Sequence, residues 1–108
     1  MTVTVEASGP TTTTPGVEQS IFTSASAKAY ALRVSIKNLT SGESLTVNVY
    51  DPVQSGGSDE LIATNTFLGT DTQKHVQTFA FTLVYAGKFK ILQPTGSARS
   101  CDWTVVSF

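Results

Sequence analysis

Charge is scarce in this chain. Only 14% of its 108 residues are Asp, Glu, Lys or Arg, against roughly 25% in an ordinary soluble domain. Seven cationic and eight acidic residues give a net charge of −1, and they are scattered along the sequence. Nucleic-acid binding draws its affinity from clustered Lys and Arg that displace counterions, so no nucleic-acid partner is expected. One His and one Cys leave little for a His/Cys metal site and nothing for a disulfide framework. Cys101 alone closes no intrachain disulfide and suits a reducing compartment. Apolar runs stop at three or four residues, far below the ~20 that span a bilayer. Residues 2–6 (Thr, Val, Thr, Val, Glu) form neither a basic leader nor an apolar one, so no secretory signal is expected there.

Hydroxyls stand where the charges are missing: 17 Thr and 12 Ser. The length suits one domain. At 11.4 kDa the folded surface scales to roughly 5,800 Å², against roughly 16,500 Å² for the open chain. A fold of this size needs no metal or disulfide to hold it. Residues 1–16 read as an extended N-terminal arm or edge strand, because Thr11–Thr14 favour extended backbone while Pro10 and Pro15 remove ladder donors.

From residue 17 to 108 the apolar period is two. Tyr30, Leu32, Val34 and Ile36 share one face, and Leu45, Val47 and Val49 another. Leu61, Ala63 and Phe67 alternate with Ile62, Thr64 and Thr66, and Phe79, Phe81, Leu83 and Tyr85 are opposed by Thr78, Ala80, Thr82 and Val84. Phe89 with Ile91, and Cys101 with Trp103 and Val105, complete the set. Residues 24–31 hold one helical turn at most. Turn residues fall between the runs at roughly 8–12-residue spacing. The pattern predicts a single all-β domain: an antiparallel β-sandwich, jelly-roll or Ig-like Greek key, of seven to eight short strands.

No residue set rises to catalysis, so the chain is not expected to be an enzyme. His75 sits in a polar stretch without a nucleophile at a fixed spacing, and reads as an exposed residue at a strand start. Cys101 is in phase with Trp103 and reads as a small buried hydrophobe. Asp59 and Glu60 are adjacent and would point to opposite faces of a strand. With Asp51 they could hold Ca²⁺ through oxygen ligands, though solvated loop charges are the simpler reading, and no cofactor is expected. Asn38-Leu39-Thr40 fits a glycosylation triplet that also arises by chance. Tyr50 is out of phase with Val47 and Val49 and is the best exposed-aromatic candidate, whereas Tyr85 and Trp103 are expected in the core. Val3, Val5 and Tyr50 are the candidate partner contacts.

The stretch Leu92-Gln93-Pro94-Thr95-Gly96-Ser97-Ala98-Arg99-Ser100-Cys101-Asp102-Trp103-Thr104-Val105 resembles the ending of small all-β virion proteins of tailed bacteriophages, of pattern L-x-Q-x-x-G-x-x-R-x-F-x-W-x-V. Gln93, Gly96, Arg99, Trp103 and Val105 carry the likeness. Cys101 departs from it, since an aromatic is usual there, and Leu92 directly precedes Gln93. Val53-Gln54-Ser55-Gly56-Gly57 is similar to the V-x-S-G-G loop of the same proteins. The resemblance implies a capsid decoration (cement) protein made in the host cytoplasm, placed on the virion surface, bound to the major capsid protein and assembled as a homotrimer. A carbohydrate- or receptor-binding module of a tail or fibre is the alternative. Physically, Gly96 suits a turn with positive φ, and Arg99 suits folding back onto an aromatic or a carboxylate such as Asp102. Gln93, Gly96, Arg99 and Trp103 are thus expected to maintain the fold.

Overall fold

In the computed structural model, which describes residues 2–108, nine strands form two antiparallel sheets. They are β1 (Thr4–Thr12), β2 (Gln19–Thr23), β3 (Lys28–Ser35), β4 (Ser44–Tyr50), β5 (Leu61–Leu68), β6 (His75–Gln77), β7 (Phe81–Leu83), β8 (Lys88–Leu92) and β9 (Ser100–Ser107). One sheet runs β1-β9-β3-β6, with β7 also on β3; the other runs β2-β8-β4-β5. The pairs nest: β4 with β5, β3 with β6 and β7, β2 with β8, and β1 with β9. The chain is one long hairpin rolled into two layers. No helix forms among the described residues, and those read as a helical turn lead straight into β3.

The period-two reading explains the core. Tyr30, Leu32, Val34 and Ile36 face Leu45, Val47, Val49, Phe89 and Ile91 across the sandwich, and all are buried. Cys101, Trp103 and Val105 join them from β9. The accessible surface of 5644 Å² sits close to the roughly 5,800 Å² that scaling gives for one domain.

One detail differs from the expected strands. The aromatic run 79–85 is not one strand: residues 78–80 leave the ladder between β6 and β7. Buried Thr78 fills the gap, donating its backbone N–H to the Leu32 carbonyl at 2.9 Å and accepting from Leu32 N through Oγ1 at 3.0 Å. Phase is lost there and Phe79 is 81% exposed, while Tyr85, past the end of β7 at Leu83, is 40% exposed rather than in the core. Thr4–Thr12 pairs along β9 as an edge strand, and Pro10 fits there because β1 has no neighbour on its far side.

Candidate functional site

The C-terminal motif residues converge at one end of the sandwich. Gln93 continues the inward phase of Phe89 and Ile91 and is fully buried. A buried amide needs partners, and Gln93 has them. Its Oε1 accepts from the Thr13 hydroxyl, and its Nε2 donates to the carbonyls of Thr95 and Ser97 at 3.0 and 2.8 Å. Thr13 is buried too; its N–H donates to the Arg99 carbonyl and its Oγ1 accepts from Arg99 N. Gly16 N donates to the Gln93 carbonyl at 2.8 Å. The Thr-rich segment is therefore stitched to the 93–99 turn.

Glu43 is the charge at this junction. Its carboxylate accepts from Arg99 Nε at 2.9 Å and from Arg99 Nη2 at 3.0 Å, a two-point contact. It also accepts from the backbone N–H groups of Thr40 and Ser97. The Arg99 guanidinium, and then the Thr40 N–H, lower its pKa from 4.5 to about 2. The partner of Arg99 is thus Glu43 and not Asp102. Gly96 has φ 101°, and a Cβ there would overlap the Glu43 carboxylate. The cluster is a set of mutually hydrogen-bonded side chains and backbone groups. It joins three loops and the first strand.

Trp103 is buried against β1. Its indole N–H donates to Thr11 Oγ1 at 2.9 Å, and Gly9 stands opposite it in register. A Cβ on Gly9 would lie 2.8 Å from Trp103 Nε1.

Tyr50 does not stand free. Its hydroxyl donates to Glu18 Oε2 at 2.8 Å, and Lys90 Nζ lies 4.8 Å from its ring centroid. Hydrogen bonding to the Glu18 carboxylate raises its pKa. Asn48 Nδ2 donates to the same oxygen at 2.7 Å. Glu18 precedes β2, so this polar hub clips that strand to β4 and β8. Val3 and Val5 are 55% and 65% exposed.

The calcium candidates are apart in their engagements. Asp51 is buried and accepts from the backbone N–H groups of Val84 and Tyr85, while Asp59 pairs with Lys88 at 2.7 Å. Among the described residues no group of three or more His, Cys, Asp or Glu gathers around one point. Cys101 is buried, and burial followed by nearby Asp102 raises its pKa. Asn38 donates its side-chain amide to the Ser100 carbonyl at 2.7 Å.

A shallow groove of about 370 Å³ crosses the outer face of the β1-containing sheet. Register places Arg33 opposite Thr104, and Ser35 opposite His75. Those side chains, with Lys37 and Asp102, line the groove. Among the described residues Arg33 makes no ion pair within 4.0 Å. Sequence reading missed this groove because its residues come from four strands, and no local spacing links them. Beside it, register sets Val5 opposite Val106 and Val106 opposite Ala31, with exposed Phe79 on the segment that passes Ala31.

No family model matches the chain, and neither the curated proteins nor the solved structures contain a match to it.

Proposed function

We propose that this chain is a structural protein of a tailed-phage virion, a capsid decoration protein that stabilises the head by binding the major capsid protein. The observation that carries this reading is the motif Gln93, Gly96, Arg99 and Trp103, which resembles the ending of such proteins. Three of those residues, Gln93, Gly96 and Arg99, meet in one cluster with Glu43, which fits a motif kept for shape rather than chemistry. We read the nested pairing as the jelly-roll member of the two expected architectures, a wrap used in viral capsid and lectin domains. The surface suits lasting contact. It carries few charges to desolvate, and it leaves the apolar side chains of Val5 and Phe79 exposed. The test is addition of purified protein to expanded heads lacking decoration. Stoichiometric binding, weakened by Val5→Asp with Phe79→Asp, is expected. Failure to bind heads while binding tail tubes would overturn the reading.

The groove favours a second reading, a carbohydrate- or receptor-binding module of a tail or fibre. Arg33, Asp102, Ser35 and Thr104 offer the mixed charges and hydroxyls that meet a polar sugar. A glycan array answers this one: binding lost in Arg33→Ala supports it, and a blank array removes it.

A further inference from the structure

Each sheet of an open sandwich has two edges, and exposed edges invite pairing with other chains unless something blocks them. Three of the four edges here are blocked. β1 carries Glu6, Pro10 and a register shift between Val5 and Ala7. β2 is five residues long, with a shift between Ser20 and Phe22. The β6 and β7 edge is two fragments of three residues each. β5 is different. Its eight residues, Leu-Ile-Ala-Thr-Asn-Thr-Phe-Leu, include no charge and no proline. Its single irregularity lies at the start, where Val49 pairs with Ala63 and Tyr50 with Leu61, leaving Ile62 as the extra residue. Residues 63–68 then run regularly beside β4, and among the described residues no strand pairs with their other side. Leu61, Ile62 and Leu68 are 54%, 47% and 49% exposed on this strand.

We propose that β5 pairs antiparallel with β5 of a second copy of this chain about a two-fold axis, joining two four-stranded sheets into one continuous sheet. The strand fits itself. With Asn65 opposite the partner's Asn65, Ala63 meets the partner's Phe67 on the inward face, and Thr64 meets the partner's Thr66 on the outer face. Ala63 and Phe67 are only partly buried against the core, and the pairing completes their cover. Ile62 falls opposite the partner's Leu68, so exposed apolar ends meet apolar ends. An Asn amide both donates and accepts, so it can pair with its own copy across the axis. A two-fold contact uses one patch twice. A ring of three would need β5 to meet a different, blocked edge. The inference rests on the fold alone and holds whether or not the protein decorates a capsid.

Sedimentation of the full chain tests it, with two charge-swapped variants. Thr64 and Thr66 are exposed and outward-facing, so Thr64→Lys with Thr66→Lys sets like charges opposite one another across the axis. Thr64→Glu with Thr66→Glu does the same with the other sign. The expected result is a dimer for the native chain, loss of the dimer in each variant alone, and its return as a mixed dimer when the two are combined. Unchanged tryptophan emission shows that both variants stay folded. A monomeric or trimeric native chain, a dimer that survives in either variant, or a mixture that stays monomeric would each overturn the proposal.

Discussion

Arg99 grips Glu43 through two N–H donors at 2.9 and 3.0 Å, across 56 positions of sequence. The carboxylate also receives two backbone N–H groups, so its charged form is strongly preferred, with a pKa near 2 against an ordinary 4.5. A depressed folded pKa supplies stability above the unfolded value and withdraws it as pH falls through the folded one. Thermal stability should therefore decline as pH drops from 4.5 toward 2. Glu43→Gln should melt lower at neutral pH and show a shallower acid slope, measured by calorimetry across that range. Some slope should remain, because the Ser107 hydroxyl also lowers the pKa of Glu6. An acid slope equal to that of the native chain would contradict the assignment.

Gly96→Ala should destabilise the fold through two effects. A left-handed backbone costs a non-glycine residue about 1–2 kcal/mol, and the new methyl would displace the Glu43 carboxylate. Denaturant melts should show a loss above about 1 kcal/mol. Combining it with Glu43→Gln should give less than the sum of the single effects, since both act on one contact.

Trp103 is the sole tryptophan, so its fluorescence reports on the β1–β9 seam. Trp103→Ala should cost about 3–5 kcal/mol. Gly9→Ala forces a methyl within 2.8 Å of the indole nitrogen and should cost about 1–3 kcal/mol as overpacking, with a shift in emission wavelength. A neutral Gly9→Ala with unchanged emission would show that the indole is not held there.

The Cys101 thiol is buried beside Trp103 and its pKa is raised. Reaction with a thiol reagent should be slow in the native protein and should accelerate at denaturant concentrations that open β9. Fast labelling under native conditions would contradict its burial.

Much of the fold was legible because period-two alternation needs only neighbouring residues. Tyr30 to Ile36 and Leu45 to Val49 declare their inward faces locally. Phe79 misled for the same reason: a phase break at Thr78 is made by contact with Leu32, 46 positions away, and leaves no local mark; Tyr85 lies past the end of β7, where Asp51 takes the Val84 and Tyr85 N–H groups. The polar cluster was half legible. Gln93 stands in the phase of Phe89 and Ile91, where a polar residue demands partners, and Gly96 marks a turn. The carboxylate that completes it comes from the far Glu43 because the loop before β4 packs beside the 93–99 turn, and no spacing rule carries that. Tyr50 was out of phase with its apolar neighbours, yet Glu18 and Lys90 occupy it.

The rolled hairpin has a consequence for how the chain comes together. β4 and β5 are the innermost of the nested pairs, joined through residues 51–60, and each pair farther out must close a longer length of chain. Assembly should run outward from β4 and β5, with Thr4 finding Ser107 last of all. The strand that arrives last is the first to leave. Slow opening of β1 alone would uncover Trp103 and part the stitches at Thr13, which makes the N-terminal strand the latch of the sandwich rather than a loose appendage.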